Sequence, residues 1–347
     1  MELTPVSPNT GAYCKARQRL PQSLISRLAK RVGWTLSNKA DAENLWLGRR
    51  VKVVDGSSAS MPDTQANQHA YPQPANQKIG CGFPVLSFVA VFCLGTGAML
   101  ALAFGAWSAH DLKLFYFVRK VFVFGDIMLG DRAFCSYAEL ALLRRKGVDT
   151  VARLHQARRT DFRRGHILGR LDHCITWNKP KRCPRGLRLS DYQLLPPTLS
   201  VRELRYSVHV DGYRTSSVTL ATTLLDAEKY PAEALAELYF ARWDVELNFQ
   251  HIKTTMQMDI LGGRTPTMVR KEIWAHMLAY NLVRSVMWDA AAGGDVAVRR
   301  LSFKGTIQRY DSVLFIGARD VLSVGSAGPS VGTALREFTS EVQRCGR

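Results

Sequence analysis

The chain of 347 residues is 46% hydrophobic and 22% charged, which is ordinary for a globular protein, and its length favours about two domains or one domain with a large insertion. Its formal net charge of +18 indicates a polyanionic partner, either nucleic acid or an anionic membrane surface. The 7 cysteines are scattered and form no C-x-x-C pair, which argues against a disulfide framework or a structural zinc site and for a reducing compartment.

The first 48 residues are predicted to be mainly helical and lack the apolar core of a secretory signal peptide. Within them, LPQSLISRLAKRVGWTL is an amphipathic pattern that places Arg27, Lys30 and Arg31 away from its leucines. The next segment, RRVKVVDGSSAS, is a short β-branched run followed by small turn-forming residues. We therefore expect Asp55 at the exit of a strand, before a polar loop.

A stretch without Asp, Glu, Lys or Arg separates Lys78 from Asp111 and is long enough to span a bilayer. Prolines and glycines interrupt it, and it divides into a β-rich half, Val85 to Leu94, and an Ala/Leu-rich half, Ala98 to Ala106. These halves predict a buried strand and a buried helix of a soluble protein, with a membrane span as the alternative.

A second acidic residue follows another short strand. The apolar run from Ile127 to Leu129 stops at the Gly-Asp pair that contains Asp131, and Ser136 then begins an Ala/Leu-rich helix that ends near Gly147. Asp126 competes for an acidic role, but it precedes the run, where a turn or capping function is expected.

Residues 151–223 are basic and β-rich, with alternating segments that predict hairpins. This block is expected to form an inserted sheet subdomain that carries much of the positive charge, including Arg158, Arg159, Arg163, Arg164, Lys179, Lys181 and Arg182. Each of these side chains has the alternative of an ordinary solvated surface charge.

The segment LYFARWDVELNFQHIK, residues 238–253, predicts a helix buried on most sides with one polar stripe. The stripe contains Tyr239, Arg242, Glu246 and Lys253. A second long helix follows over VRKEIWAHMLAYNLVRSVMWDAAA.

Asp55, Asp131 and Glu246 stand out as three carboxylates from separate elements. Such a set can hold two Mg²⁺ ions about 4 Å apart, because hard divalent cations prefer oxygen ligands. On the same stripe, Arg242 and Lys253 would neutralise phosphate charge and Tyr239 would donate a hydrogen bond to a phosphate oxygen. The alternative is a surface ion pair between Arg242 and Glu246 at four-residue spacing.

These residues resemble the IS4-type DDE transposases of bacterial insertion sequences. The family pattern Y-x2-R-x3-E-x6-K is matched at every interval by residues 239–253, its D-G-[ST] motif resembles the D-G-S that begins at Asp55, and its G/A-D-R-[GA]-[FY] motif resembles G-D-R-A-F around Asp131. The resemblance extends from about Tyr13 to Lys304.

The resemblance implies an α/β, ribonuclease-H-like mixed sheet flanked by helices. It implies Asp55 on the first strand, Asp131 after the fourth, Glu246 on a following helix, and a β-rich insertion between the second Asp and the Glu helix. The charge-free stretch would supply core strands and the start of a helix. The expected organisation is a helical segment 1–48, core parts 49–150 and 224–305, an insertion 151–223, and a tail 306–347.

For function, the resemblance implies cleavage at insertion-sequence ends and strand transfer into target DNA through a hairpin intermediate. Asp55, Asp131 and Glu246 would bind two Mg²⁺ ions, for which Mn²⁺ can substitute, and the partner would be double-stranded DNA. It also implies a homodimer on paired ends, a cytoplasmic, nucleoid-associated location and no membrane. The basic insertion would follow the DNA backbone, and Trp177 would stack on a flipped base, with a packed core tryptophan as its alternative.

Three alternatives stay open. Relatives carry a helical DNA-binding region ahead of the first Asp, whereas only 54 residues precede Asp55 here, so a truncated DNA-binding remnant is one of them. The others are a ribonuclease-H-like DNA nuclease without strand transfer and an anchored membrane protein.

Overall fold

The structure is a computed structural model, and it describes residues 10–75, 78, 80–184, 186–208, 216–294 and 298–309. Most of the expected tail, 310–347, therefore lies outside the described residues.

The described residues form one nine-stranded mixed sheet with the strand order β3-β2-β1-β4-β5-β9-β8-β7-β6. The strands are β1 Val51–Ser60, β2 Val85–Cys93, β3 Met99–Ala106, β4 Ile127–Gly130, β5 Asp149–Arg153, β6 His166–Gly169, β7 Asp172–Asn178, β8 Thr198–Val208 and β9 Ser216–Thr222. β1, β2 and β3 are antiparallel neighbours, whereas β4 and β5 run parallel to β1. This is the mixed sheet of the ribonuclease-H-like fold, as expected.

The helices cover the sheet. They are α1 Gly11–Arg19, α2 Gln22–Ser37, α3 Gln65–Ala70, α4 Asp111–Val118, α5 Tyr137–Arg145, α6 Leu189–Gln193, α7 Ala232–Phe240, α8 Trp243–Gln250 and α9 Pro266–Gly294. α9 contains the second long helix predicted from the sequence, and α5 begins after Ser136, whose hydroxyl accepts the backbone N–H of Glu139 at 3.2 Å.

The position of Asp55 differs from the expected strand exit, because β1 continues to Ser60 and places Asp55 in its middle. The pairing of β1 with β4 nevertheless ends at Val54 opposite Gly130. Asp55 is thus the first β1 residue beyond the parallel neighbour, and Asp131 is the first residue beyond the end of β4. The polar residues that follow Asp55 stay in the strand because β2 pairs with them as far as Ser60.

The charge-free stretch forms two adjacent strands, and the helix predicted over Ala98 to Ala106 is wrong. Met99–Ala106 pairs with β2 as an antiparallel strand, and the turn between them uses Gly97 with a φ of +70°. The Ala/Leu composition favoured a helix, but pairing with β2, which is buried except at its first residue, decides the conformation. No helix in the described part of the chain is long and apolar enough to cross a membrane.

The strands of the predicted β-rich insertion extend the core sheet. β9 pairs with β5 through Val151 and Thr222, and β8, β7 and β6 continue outward from it. The boundary expected at residue 151 falls inside β5, which starts at Asp149 and pairs with β4 as a core strand.

The amphipathic N-terminal helix, α2, packs on α9 through Ile25, Ala29 and Leu36. Asn281 of α9 fixes this arrangement, because its amide donates to the carbonyl oxygens of Ala29 at 3.1 Å and Met99 at 2.9 Å. Arg27, Lys30 and Arg31 are exposed as predicted, but Leu24 and Leu28 are exposed beside them, at 39% and 43%.

Asp126 has the expected turn function and a second one. Its carboxylate accepts the backbone N–H of Val123 at 2.8 Å and forms a buried ion pair with Lys52 of β1. Lys52 is fully buried, so this pair fixes β1 to the segment that precedes β4.

Candidate active site

Three elements bring the predicted acidic residues towards one place. Asp55 lies on β1, Asp131 directly follows β4, and Glu246 lies on α8, as expected. Asp131 is held by its own loop, because its Oδ1 accepts the backbone N–H of Ala133 at 2.8 Å. The Oδ1 of Asp55 accepts the N–H of Gly56 at 2.8 Å.

Arg242 joins two of these carboxylates. Its guanidinium lies 3.2 Å from Oδ2 of Asp55 and 3.0 Å from Oε1 of Glu246. The Arg242 side chain is only 12% exposed and its Cζ lies 5.7 Å from the centre of the Tyr239 ring. The predicted pair with Glu246 is therefore part of a bridge to β1 rather than an isolated pair, although the Glu246 side chain is itself 43% exposed.

The pKa of the Asp55 carboxyl group depends on its burial and on the two other acidic residues. Burial raises the pKa of Asp55 to about 6, and the negative charges of Asp131 and Glu246 also raise it. The Gly56 N–H and the charge of Arg242 oppose these effects. A carboxyl group with this pKa is a site where a positive charge would be stabilised.

Residues 238–253, which we call the signature segment, do not form the single helix predicted from the sequence. α7 ends at Phe240, α8 begins at Trp243, and residues His251–Thr255 form a π-helical turn that contains Lys253. Tyr239, Arg242 and Glu246 still converge, whereas Lys253 forms no ion pair with a carboxylate in the described part of the chain.

The segment is also less buried than predicted. Phe240, Trp243 and Leu247 are 63%, 54% and 52% exposed, although the sequence suggested that apolar residues here face a core. The break between α7 and α8 turns these side chains towards solvent, while Val245 and Phe249 pack inward.

Trp177 lies where its alternative placed it, in the core of the insertion. It is 4% exposed, its Nε1–H donates to Oε1 of Glu203 at 2.8 Å, and the Cζ of Arg158 lies 3.6 Å from its ring centre. In this conformation neither face of the ring is open to a flipped base.

A fourth carboxylate, Asp111, was missed by sequence reasoning. It begins α4 and approaches Gly56, where an added Cβ would lie 3.1 Å from Asp111 Oδ1. Burial raises the pKa of Asp111, and the charge of Asp131 contributes to the increase. The only signal in the sequence was that Asp111 ends the charge-free stretch.

The donor set fits a hard divalent cation in its chemistry, since Asp55, Asp131 and Glu246 offer carboxylate oxygens and Asp55 is destabilised as an anion. Among the residues that the structure describes, no three His, Cys, Asp or Glu side chains stand close enough together to hold a metal ion. The bridge from Arg242 to Asp55 and Glu246 accounts for this, because a guanidinium lies between two of the carboxylates.

Comparison with known proteins identifies the family to which the chain is similar. The family model described as Transposase DDE domain matches residues 46–282. The chain is 26% identical over 279 residues to Transposase InsG for insertion sequence element IS4 of Escherichia coli (strain K12), covering 80% of this chain and 60% of InsG. It is 29% identical over 299 residues to Putative transposase InsL for insertion sequence element IS186A of the same strain, covering 76% of this chain and 75% of InsL.

Among solved structures, the piggyBac transposase synaptic complex with hairpin DNA aligns with a TM-score of 0.45 and 11% identity, over 84% of this chain and 57% of that chain. The chain spans about 60% of the length of InsG. Since the family match covers more than half of the chain and includes Asp55, Asp131 and Glu246, the chain belongs to the Transposase DDE domain family.

Proposed function

We propose that this protein is a DNA transposase that cleaves DNA at insertion-sequence ends and joins the freed end to target DNA. The observation that carries the proposal is the convergence of Asp55 on β1, Asp131 after β4 and Glu246 on α8, with Arg242 joining Asp55 to Glu246. The net charge of +18 supports double-stranded DNA as the partner.

Asp55, Asp131 and Glu246 would hold two Mg²⁺ ions, or Mn²⁺ in their place, which activate a water or a 3′-OH and stabilise the leaving oxygen of a phosphodiester. The chain's own part is to hold the carboxylates and to bind the strand. Before the cation is bound, Arg242 neutralises Asp55 and Glu246. Released from these carboxylates, its guanidinium would bind a DNA phosphate beside Tyr239, with Lys253 as a second cation.

Three further parts of the proposal rest on family membership. Strand transfer would pass through a hairpin intermediate, and two copies would bind the paired ends as a homodimer. The protein would then work at the nucleoid in the cytoplasm. For Trp177, the base-stacking role would require the ring to leave its contacts with Glu203 and Arg158.

The test is Mg²⁺-dependent cleavage of labelled duplexes that carry the DNA flanking this reading frame. Glu246→Gln should abolish cleavage, because it removes a carboxylate charge and keeps the side-chain shape. The matched control is Glu237→Gln, the same change at an exposed position of α7, which should cleave like the wild type.

The outcomes separate the candidate functions. Cleavage with joining of donor to target supports the transposase, and cleavage without joining identifies a nuclease. Binding without cleavage in every variant identifies a DNA-binding remnant and refutes the proposed activity.

A further inference from the structure

A basic cavity lies beside the acidic residues of the candidate active site, where the core meets the insertion. Its volume is about 180 Å³, room for one phosphate group, since a water molecule occupies about 30 Å³ in the liquid. The lining contains four arginines, one histidine, three hydroxyl side chains and no carboxylate; the charged and hydroxyl residues are Arg132, Arg153, His155, Arg158, Thr160, Arg205, Ser217 and Thr219. We name it the arginine pocket.

The sheet register explains why the pocket adjoins the candidate active site. Gly130 of β4 pairs with Ala152 of β5, so Asp131 and Arg153 are the next residues at the same edge of the sheet. Arg132 directly follows Asp131. Across the sheet, Arg205 of β8 pairs with Thr219 of β9, and its Nε–H donates to the Thr219 hydroxyl at 2.9 Å.

The arginines of the pocket form no direct ion pair with a described carboxylate, although the charge of Glu203 acts on Arg158. In the described part of the chain, none of the four has a carboxylate oxygen within 4.0 Å, although Arg163 and Arg164 of the same insertion both pair with Asp161. Arg132 donates to the neutral side chain of Gln156, at 3.0 Å.

Two residues of the pocket lining, Thr160 and Arg158, indicate that the pocket binds a ligand. The Thr160 hydroxyl is buried and has no hydrogen-bond partner among the described residues, so an acceptor or donor is missing there. Arg158 stacks on Trp177 with its Cζ 3.6 Å from the ring centre, which fixes its guanidinium at the pocket, and it forms no ion pair within 4.0 Å among the described residues.

We infer that the arginine pocket binds a backbone phosphate of the DNA strand that reaches Asp131, an inference that rests on the proposed function. Guanidinium groups bind phosphate oxygens through paired, charge-assisted hydrogen bonds, and the hydroxyls of Thr160 and Ser217 would satisfy the remaining oxygens. The pocket would therefore hold the strand by a phosphate that lies one or more nucleotides away from the phosphodiester bond that reacts. The more exposed Arg163 and Arg164 contribute little by comparison, because Asp161 already neutralises them in part.

The test compares two double variants that each remove two positive charges. Arg153→Gln with Arg205→Gln alters the pocket, and Arg163→Gln with Arg164→Gln is the matched control; all four side chains are exposed, so folding should be retained. Affinity for a duplex of about 30 base pairs is measured over a range of KCl concentrations in EDTA, where no cleavage occurs.

The pocket variant should bind about tenfold more weakly than the wild type, and its slope of log K against log salt should fall by about one, as for the loss of one phosphate contact. The control should change much less. Equal changes in both double variants would show that only total charge matters and would overturn the inference, as would absence of duplex binding by the wild type.

A competition experiment separates DNA phosphate from free phosphate. Inorganic phosphate at matched ionic strength should displace the duplex no better than chloride, and stronger displacement from the wild type than from the pocket variant would reassign the pocket to a small anion. All of these binding measurements are made without a divalent cation. A failed Glu246→Gln cleavage test would therefore count against the proposed activity and not against the arginine pocket. A failed binding test would count against the pocket and not against the activity.

Discussion

Replacing Asp55 by Asn should make the protein more stable at neutral pH, although Asp55 is proposed to be essential for activity. Burial and the charges of Asp131 and Glu246 raise the pKa of Asp55 from 3.8 to about 6. Since the folded state holds the proton more tightly than the unfolded chain, Asp55 lowers stability as pH rises from about 4 through about 6. At about 1.4 kcal/mol for each pKa unit, the full effect is about 3 kcal/mol.

The measurement is the free energy of unfolding by urea for wild type and Asp55→Asn at several pH values. The stability advantage of the variant should grow by about 2 to 3 kcal/mol between about pH 4 and about pH 7.5. Comparing the two pH values cancels any pH-independent effect of losing the Arg242 ion pair. Asp259→Asn, at an exposed carboxylate, serves as the control and should show a much smaller change. An advantage that stays constant with pH, or that shrinks as pH rises, would refute the reasoning about Asp55.

Three further predictions concern the other charged contacts. Arg242→Gln should bind Mn²⁺ about tenfold more tightly without DNA, because a competing cation between Asp55 and Glu246 is removed, and calorimetric titration that shows weaker or equal binding would contradict this. Lys52→Met should lower the free energy of unfolding by about 3 to 5 kcal/mol, because Asp126 stays buried without its partner, and adding Asp126→Asn should restore part of the loss in urea unfolding. Trp177→Phe should lower the free energy of unfolding by about 1 to 3 kcal/mol, because Glu203 loses the hydrogen bond that the Trp177 ring donates, while cleavage per folded molecule should stay near the wild-type value. A variant of unchanged stability with impaired hairpin formation would instead support base stacking.

Several features of this protein could be predicted from the sequence because they depend on local patterns. The β-branched run before Asp55 and the apolar run before Asp131 both form core strands. Ser136 caps α5 as its position suggested, and the apolar periodicity after the signature segment forms α9. In each of these elements local propensity and the final packing favour the same conformation.

Other features depended on contacts between distant segments. The Ala/Leu run Met99–Ala106 becomes a strand because β2 offers a buried hydrogen-bonding edge. The insertion continues the core sheet because β9 pairs with β5, and Trp177 is buried by Glu203 and Arg158 from other segments. None of these partners can be identified from the residues that they contact.

The candidate site shows the same division. Its acidic residues and their spacing with Tyr239 and Arg242 were evident in the sequence, because side chains that share a chemical task occur in fixed motifs. The ion pair from Arg242 to Asp55 joins residues 187 positions apart, and the arginine pocket combines β5, β8 and β9. The sequence by itself thus determined which side chains are the candidates for the proposed chemistry, whereas only the tertiary structure decided their charge partners, because electrostatic interactions depend on distance and burial in space rather than on separation along the chain.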